Sequence, residues 1–442
     1  NSMKLLTKKK CFLALAMLLL TKPIGAQETL TLTLEKAIEI ALSENPTIKV
    51  ADQEILLKES SKKEAIWGLF PEASLIGSYT RTIEKQTFAM GEQQVKVGTE
   101  NSYNGGLSIS LPVFAPTLYK SIKLTKTDVE LAVEKARSSR LDMVNQVTKA
   151  YYQLLLAQDS YDVLQKSYAQ SEENYRIVNA KYEQGSVSEY DKISADVQMR
   201  SLKPSVVSAR NGVNLAKLQL KVLMGMTSDI DIAIDGNLKD YEMVMFQRQL
   251  SANPLSLQNN SDLKQLDLNE KMLKQNLKIQ YTNLMPTLSL SFQYLYTTLT
   301  DDFKFGDYKW NPYSTIGLNL SIPLFKGSNF SKIKQAKIQI RQLNENKINT
   351  ERQLNMQVTS YLDNMTASTE QVISNREAVV QAEKGRLIAE KRYEVGKGTI
   401  LELNNSEVAL TQAQLTYNQS IYDYLTAKAD LDKVLGRDYV NE

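Results

Sequence analysis

The sequence contains two copies of one pattern, and this internal duplication constrains the possible folds more than any other feature. The segment GLSISLPVF at 106–114 returns as GLNLSIPLF at 317–325, an offset of 211 residues. The same offset relates YEQG at 182–185 to YEVG at 393–396. Because the alignment needs no gap between these segments, the chain is expected to fold as two similar structural repeats.

Each copy reads as a helix, a strand, a loop, a second strand, a long helix, a tight turn and a returning helix. The first repeat covers 27–225, with a strand pair at about 72–112. Its long helix is predicted at 117–184 and its returning helix at 188–224. This mixture of elements indicates an α+β fold.

The second repeat covers 261–442 and follows the same order. A strand pair is predicted at about 287–323, a long helix at 328–395 and a returning helix at 399–435. The segment 226–260 falls between the two copies and is expected to connect them. The chain therefore contributes four strands and two very long helices to its fold.

The predicted strands alternate between apolar and polar residues with a period of two, as in strands with one buried face. Around 287–296, one face carries Leu288, Leu290, Phe292, Tyr294 and Tyr296, and the other carries Thr287, Ser289, Ser291 and Gln293. Strands of about 9–11 residues match the length of a tilted membrane strand. Two hairpins of a soluble sheet fit the pattern equally well. The loops 83–101 and 297–312 are expected to join the strands of each pair.

Four strands per chain are too few for a closed barrel, since single-chain membrane barrels begin at eight strands. An open sheet edge is not tolerated in lipid, because its backbone groups have no hydrogen-bond partners there. If the strands cross a membrane, several copies must therefore share one barrel. Two copies would supply eight strands and three would supply twelve, and the count does not choose between them.

The stretch 117–184 contains neither Gly nor Pro, and its 68 residues correspond to about 100 Å of α-helix. Globular domains seldom contain such rods, since their helices average about 11–12 residues. Tyr161, Tyr168, Tyr175 and Tyr182 lie one heptad apart within a longer seam spaced 4, 3, 4, 3, which also includes Val147, Leu154 and Ser171. This spacing predicts left-handed coiled-coil packing, with these side chains in the core between helices.

Residues 1–26 have the pattern of a secretory signal peptide. A lysine-rich start precedes an apolar run at 11–20, and Gly25 and Ala26 offer a cleavage point. The run is too short for a membrane-spanning helix, which needs about 20 residues. Removal of this segment takes away five lysines and no acids, so the formal net charge changes from +3 to −2. A chain with that charge is not expected to bind nucleic acid.

The predicted mature chain lacks the residue types most used in catalysis and in zinc binding. The sequence contains no His, and its single Cys, Cys11, lies within the predicted signal peptide. Thiol nucleophiles, disulfides, imidazole bases and the common zinc sites are therefore excluded together. We expect no catalytic residues, no metal site, no cofactor and no enzymatic activity.

The combination of these features resembles the TolC/OprM family of outer-membrane efflux proteins. The resemblance rests on the duplicated strand–strand–long-helix unit, the two G-L-x-h-S-h-P-h-F segments (h, apolar) and the two Y-E-x-G turns, each followed by Ser/Thr-x-x-Asp/Glu. It covers essentially the whole mature chain. It implies a homotrimer with a twelve-stranded β-barrel in the outer membrane, continued into the periplasm by a barrel of long antiparallel coiled-coil helices.

The resemblance also implies a function and partners. Such a protein is the passive exit duct of a tripartite efflux or type I secretion system, and outer-membrane lipid surrounds its barrel. Its partners are a periplasmic adaptor (membrane fusion protein) and an inner-membrane pump of the RND or ABC type. The segment 226–260 then becomes an equatorial connector around the helical tunnel.

The two tight turns carry the candidate functional residues. Gly185 and Gly396 are expected to end the long helices, because Gly commonly follows a helix C-cap. Ser188 and Thr399 are expected to cap the returning helices. The resemblance implies that these tip turns contact the adaptor.

Asp191 and Glu402 follow the two caps by three residues, so local structure alone gives them a capping role. The resemblance implies a second role, because Tyr393, Asp191 and Glu402 match residues that constrict the periplasmic entrance of such ducts. Threefold symmetry would turn each carboxylate into a ring of three around the axis. Rings of acidic side chains favour cations.

Two positions depart from the family's pattern at this entrance. Gly398 stands where an Arg can lock the gate, and Asn405 stands where a second acid can stand. The departure argues against a strong lock in the closed state. Lys397 adjoins Gly398 and is the candidate that would replace the missing Arg.

Two other classes of protein compete with the duct. A trimeric coiled-coil surface adhesin would carry its strands in a terminal anchor, whereas here they lie inside each repeat. A periplasmic enzyme or solute-binding protein would need a converging polar site, which the sequence does not provide. The export duct is therefore the predicted function.

Overall fold

The structure is a computed structural model that describes residues 30–90, 93–227, 229–247 and 256–437. The predicted signal peptide, 1–26, lies outside the described residues. The chain divides into two compact units. The helical unit comprises Asn1–Lys49, Ser139–Asn260 and Leu354–Glu442, and the sheet unit comprises Val50–Ser138 and Ser261–Gln353.

The elements follow the order helix, strands, long helix and returning helix twice along the chain. The helices are α1 Leu34–Glu44, α2 Pro46–Trp67, α3 Pro116–Glu183, α4 Glu189–Leu223, α5 Glu242–Gln247, α6 Ser261–Thr282, α7 Gly327–Glu394 and α8 Ile400–Val434. The strands are β1 Leu30–Leu32, β2 Glu72–Arg81, β3 Gln86–Met90, β4 Gln93–Val97, β5 Asn101–Phe114, β6 Ile232–Ile234, β7 Thr287–Thr300 and β8 Asn311–Ser321. Corresponding helices have equal lengths, 68 residues in α3 and α7 and 35 residues in α4 and α8. Among the described residues, no helix combines the length and apolar character needed to span a membrane.

The sheet unit contains an antiparallel sheet of four strands in the order β2, β5, β7 and β8. Its register aligns the apolar residues of neighbouring strands. Ile109 of β5 lies opposite Ala73 of β2 and Phe292 of β7, and Phe292 lies opposite Ile316 of β8. Because residues directly opposite each other share a face, the apolar positions of all four strands form one continuous face.

The other face of this sheet consists mainly of Ser, Thr, Asn, Gln and Gly. The Ser291 hydroxyl donates to the carbonyl oxygen of Gly317 at 3.3 Å and accepts from Asn319 Nδ2 at 3.2 Å. One apolar row crosses this polar face: Ile76, Leu295 and Tyr313, with Gly106 between the first two. The sheet is therefore two-sided, with an apolar and a largely hydroxyl-lined surface.

The prediction of a simple loop at 83–101 is wrong. This segment contains a second hairpin, in which β3 pairs with β4 and Phe88 lies opposite Val95. The predicted loop 297–312 is also too long, because β7 continues to Thr300 and β8 begins at Asn311. β5 and β7 are longer than predicted because they pair with each other and so join the two repeats. The residue pattern of a single strand does not indicate this pairing.

The duplication extends to hydrogen bonds at the ends of the returning helices. Asn45, just before α2, donates through Nδ2 to the carbonyl oxygen of Leu223 at 2.7 Å. Asn260, just before α6, donates in the same way to Val434 at 2.7 Å. The last carbonyls of a helix have no partner within it. Each repeat thus satisfies one such carbonyl with the Asn that precedes its own shorter helix.

In the helical unit, α3 packs against α8 along the predicted heptad seam. Val147 and Leu154 are fully buried there, and Tyr161 is half-buried. Asp430 of α8 accepts hydrogen bonds from α3, from Asn145 Nδ2 at 2.9 Å and Lys149 Nζ at 2.9 Å. Apolar seam residues thus form the core, and polar residues beside them fix the pairing of the two helices.

Acidic side chains hold the described part of the connector to three helices of its own unit. Asp159 of α3 accepts a hydrogen bond of 2.9 Å from the backbone N–H of Leu238, which begins a short 3-10 turn. Glu242 of α5 accepts from Arg376 Nη1 of α7 at 2.8 Å and from the hydroxyl of Tyr417 of α8. The connector therefore contacts both long helices and one returning helix.

The Asp159→Asn variant is expected to remove a pH dependence of stability. Burial raises the pKa of the Asp159 carboxyl from 3.8 to about 6, although its bond to Leu238 opposes that shift. The folded state therefore holds the proton more tightly than the unfolded state, and this group's contribution to stability falls as pH rises from 3.8 to about 6. Asn keeps the acceptor for Leu238 and carries no charge.

Thermal unfolding of both proteins between pH 4 and pH 8 measures this effect. At pH 7 the variant should be more stable by roughly 1 kcal/mol, because solvent screening at this half-buried site reduces the full effect of two pKa units. At pH 4 the two proteins should unfold at nearly the same temperature. A variant that is less stable at pH 7 would contradict the prediction.

Candidate functional site

The two tight turns between long and returning helices have the same backbone structure. Gly185 and Gly396 adopt left-handed conformations, with φ of 73° and 70°. In the first turn Ser186 N–H donates to the carbonyl of Lys181 at 2.9 Å, and Lys397 N–H donates to that of Arg392 at 2.8 Å in the second. This six-to-one bond is the Schellman motif, which requires a residue that tolerates positive φ. Gly at these positions ends both helices as the sequence predicts.

The caps of the returning helices differ between the two turns. Ser188 and Asp191 form a reciprocal capping box: the Ser188 hydroxyl accepts from Asp191 N–H at 3.1 Å, and the Asp191 carboxylate accepts from Ser188 N–H at 3.1 Å. Thr399 accepts from Glu402 N–H at 3.2 Å, but the Glu402 carboxylate does not return the bond. It lies 3.6 Å from Arg392 Nη2 instead. The prediction of a capping role therefore holds for Asp191 and is wrong for the side chain of Glu402.

Tyr393 lies where the two turns meet. It packs against a small apolar cluster with members from both turns: Val178, Ala195, Ile400 and Leu403. The Lys181 ammonium lies 5.0 Å from the centre of the Tyr393 ring. Burial, and then the negative charge of Asp191, raise the pKa of the Tyr393 hydroxyl. The structure thus places Asp191 and Lys181 close enough to Tyr393 for both charges to interact with it.

Arg392 is a charged residue of this site that the sequence analysis missed. Besides its contact with Glu402, its Nη2 donates to the carbonyl oxygen of Lys397 at 3.2 Å. The ammonium of Lys397 itself is exposed and makes no hydrogen bond or ion pair within the described residues. A Cβ added at Gly398 would lie 3.0 Å from Arg392 Cβ. Arg392, rather than Lys397, thus occupies the space beside Gly398.

Two features of the sequence could have identified Arg392 as a candidate residue. Arg392 stands in the last turn of α7, where a cation interacts favourably with the helix dipole. Lys181 occupies the same position in α3, at the offset of 211 residues. A basic residue matched across the two repeats, one position before Tyr182 and Tyr393, marks both positions as candidates for contacts at the turns.

A buried polar layer joins α3 to α8 above the turns, and the seam alone did not predict it. Glu407 of α8 is 4% exposed, and its carboxylate accepts hydrogen bonds from Asn174 Nδ2 and from the Ser171 hydroxyl at 3.4 Å. Burial raises the pKa of Glu407 in spite of these bonds. Ser171 belongs to the predicted seam, and a polar residue at such a position specifies helix pairing at a cost in stability.

No group of three or more acidic, His or Cys side chains that could hold a metal ion occurs among residues 30–90, 93–227, 229–247 and 256–437. The charged residues at the turns instead form separate pairs and single contacts. This arrangement suits a surface that attracts or repels ions.

Comparison with known proteins identifies the family. The sequence model of the outer membrane efflux protein family matches residues 37–226 and 254–437, which is most of the chain and includes both repeats. The chain belongs to the outer membrane efflux protein family. This family consists of outer-membrane channels rather than enzymes, so the chain is an outer-membrane channel protein of efflux and secretion systems.

Individual members of the efflux family align with nearly the whole length of this chain. The outer membrane protein TolC of Escherichia coli is 22% identical over 412 residues, which cover 89% of this chain and 80% of TolC. The alkaline protease secretion protein AprF of Pseudomonas aeruginosa is 23% identical, with coverage of 92% and 84%.

Solved structures show the same fold. The Campylobacter jejuni CmeC outer membrane channel has a TM-score of 0.73 at 18% identity, with coverage of 94% of this chain and 90% of CmeC. The outer membrane protein VceC of Vibrio cholerae has a TM-score of 0.74 at 17% identity, with coverage of 91% and 96%. The mixed helix and strand architecture is therefore that of the efflux channels.

Proposed function

We propose that three copies of this chain form a passive exit duct, with a twelve-stranded β-barrel in the outer membrane and a barrel of coiled-coil helices in the periplasm. The observation that carries the proposal is the two-sided sheet, which has one continuous apolar face and two unpaired edges. In an isolated chain, apolar residues on these edges are strongly exposed, such as Leu75 at 85% and Ile316 at 75%. Lipid on that face and a neighbouring copy at each edge would cover them.

The strand directions support closure by neighbouring copies. All three ladders within the sheet are antiparallel, so its two edge strands, β2 and β8, run in opposite directions. An edge β8 of one copy can therefore pair antiparallel with β2 of the next and continue the alternation around a ring. A barrel that closes in this way has no free edge, as lipid requires. Strand direction allows two or three copies, and the family resemblance favours three.

The helical unit offers matching surfaces for such a ring. α4 carries exposed apolar residues at Tyr190, Ile193 and Val197, and α7 carries them one heptad apart at Ile373, Val380 and Leu387. Soluble proteins seldom leave apolar stripes uncovered. In the proposed trimer, α4 of one copy packs against α7 of the next, while α3 and α8 already pack together within each copy.

The periplasmic entrance of the duct is proposed to lie at the paired turns. Asp191, Glu402 and Tyr393 would constrict it, and Lys397 would add a cation at its rim. The turn residues Gly185, Ser188, Gly396 and Thr399 would contact the periplasmic adaptor. An RND- or ABC-type pump in the inner membrane would supply energy and choose the cargo, because a passive pore offers no energy source of its own.

A pair of cysteine variants tests which face of the sheet lines the pore. Ser108 and Ile109 are neighbours on β5, and alternation places them on opposite faces. Because Cys11 is the only Cys and lies in the predicted signal peptide, each variant would carry a single thiol. In planar bilayers, a charged water-soluble thiol reagent should lower the conductance of Ser108→Cys and leave Ile109→Cys unchanged.

The opposite result would reject the proposed orientation of the sheet. Blockage of Ile109→Cys without blockage of Ser108→Cys would place the apolar face in water. A wild-type protein that forms no conducting channel, or that stays monomeric when its mass is measured in detergent, would reject the duct itself.

A further inference from the structure

The polar face of the four-stranded sheet carries a single acidic or basic side chain, Glu72. The side chains on this face, read from the register of β2, β5, β7 and β8, are otherwise hydroxyls, amides, a few apolar groups and glycines. The only other ionisable residue in these four strands apart from the tyrosines is Arg81, which ends β2 on the opposite, apolar face. The wall that this sheet offers to water therefore owes its fixed charge to Glu72.

The place of Glu72 within the sheet is defined by connectivity. It is the first residue of β2, five residues after the end of α2. It therefore lies at the end of the strand that connects to the helices. Across the ladders it is aligned with Ser110, Ser291 and Gly317, which all have small side chains or none. Nothing large on that row of the face stands between its carboxylate and the water in front of the sheet.

Glu72 has no structural task that would explain an acid at this position. Among residues 30–90, 93–227, 229–247 and 256–437, no hydrogen bond or ion pair to its carboxylate occurs. Glu84, three residues after the end of β2, is likewise exposed, but it lies in the segment after β2 and outside the four-stranded sheet. An unpaired carboxylate on an otherwise uncharged wall is free to act on ions in front of it.

We propose that Glu72 is a charge-selectivity residue of the pore, and that three copies of it form an acidic ring at the base of the barrel. This inference rests on the proposed trimeric duct, in which the polar face lines the lumen. Rings of carboxylates raise the local concentration of cations and lower that of anions. The rest of the barrel wall carries no fixed charge, so it discriminates by size and lets cargo of either sign pass.

The range of this effect depends on salt. The screening length is about 30 Å at 0.01 M and about 3 Å at 1 M. A ring on the wall of a wide lumen therefore controls ions across the opening only at low ionic strength. At high salt its field ends close to the wall, and the barrel becomes non-selective.

The test measures reversal potentials of single channels in potassium chloride gradients, near 0.01 M and near 1 M. The background is the Asp191→Asn, Glu402→Gln double variant, so that the carboxylates proposed for the tip do not mask the barrel. Glu72→Gln should lower the potassium-to-chloride permeability ratio at least about threefold at low salt and leave it unchanged at high salt. Glu72→Asp should keep the ratio, and Glu84→Gln serves as the matched control outside the sheet.

Three outcomes would overturn the inference, and they differ in whether they also reject the proposed duct. If the Ser108→Cys and Ile109→Cys variants behave as expected but Glu72→Gln keeps the low-salt permeability ratio, only the acidic ring is rejected. If Glu84→Gln lowers the ratio as much as Glu72→Gln, the charge acts from the exterior surface and the ring is again rejected. If the wild type forms no conducting channel, the duct and the ring fail together.

Discussion

Replacing Gly106 with Ala is expected to prevent assembly of the sheet, whereas the same change at Gly105 is expected to have little effect. A Cβ added at Gly106 would overlap the carbonyl oxygen of Tyr294 and lie 2.7 Å from Cα of Leu295. These are backbone atoms of β7, so no side-chain rotation relieves the overlap. At Gly105 the nearest atom to an added Cβ is the carbonyl oxygen of Ile76, at 3.8 Å, an ordinary contact.

The size of the effect follows from the position of Gly106 in the β5–β7 ladder. That ladder joins the two repeats, and both halves of the sheet depend on it. Overpacking inside a well-packed region typically lowers stability by about 1–3 kcal/mol. Here two backbones would have to move apart, so the loss of stability should be at least about 3 kcal/mol. In the proposed trimer the same sheet would also pair with neighbouring copies, so the loss would reduce assembly as well as folding.

Outer-membrane fractions provide the measurement. The amount of assembled oligomer, separated from monomer on unheated gels, should fall by about tenfold or more in Gly106→Ala, consistent with a loss of at least 1.4 kcal/mol. Gly105→Ala should match the wild type and controls for the loss of a Gly at the centre of β5. Equal assembly of the two variants would mean that β5 and β7 do not approach as closely as the structure shows.

The elements with a strong local pattern were predictable from the sequence. The absence of Gly and Pro fixed the extent of α3 to within one residue, from Pro116 to Glu183 against a prediction of 117–184. The offset of 211 residues then carried the same length to α7. Such helices are determined by local composition and by the Gly that follows each one, so they need no knowledge of the rest of the fold.

Features that depend on contacts between distant segments were not predictable. The hairpin β3–β4 lies in a segment with only weak alternation, and β5 and β7 gain length only because they pair with each other. The bond between Glu407 and Asn174 joins residues 233 positions apart, and no local pattern reports it. Duplication indicated matched positions, but it does not require matched side-chain contacts.

The two turns show most clearly that matched positions can make different side-chain contacts. Asp191 and Glu402 are equivalent by sequence, yet only Asp191 returns the hydrogen bond of its cap, while Glu402 turns to Arg392. The residue that precedes the Tyr of each turn also differs between the repeats, being Lys181 in the first and Arg392 in the second. Lys181 lies over the ring of Tyr393, and Arg392 reaches Glu402. Two similar sequences thus give two different electrostatic environments.

The double variant Asp191→Asn, Glu402→Gln is expected to make the channel much less selective for cations and less easily blocked by multivalent cations. In the proposed trimer, six carboxylates surround the entrance, and the double variant removes all six charges. Rings of acids at a narrow opening favour cations strongly. The change in the potassium-to-chloride permeability ratio should therefore be several-fold, and block by divalent or trivalent cations should need correspondingly higher concentrations.

The melting temperature of the double variant should hardly change. This result would distinguish a role in the pore from a role in capping the helices, because loss of a cap lowers stability. Asn can still accept a hydrogen bond at Asp191, so the loss should stay below the ~1 kcal/mol typical of a cap replaced by Ala. Glu402 makes no side-chain cap, and its half-exposed ion pair with Arg392 contributes about 0–1 kcal/mol. A lowered melting temperature with unchanged selectivity and block would leave only a structural role for both residues.

A matched control comes from the duplication itself. Glu172 and Glu383 are exposed acids on α3 and α7, again separated by 211 residues, and they lie on the long helices before the turns. Glu172→Gln, Glu383→Gln removes the same number of charges from a trimer without touching either turn. If that variant alters cation block as much as the tip variant, the effect comes from total charge. If only the tip variant does, the paired turns form the charged entrance of the duct.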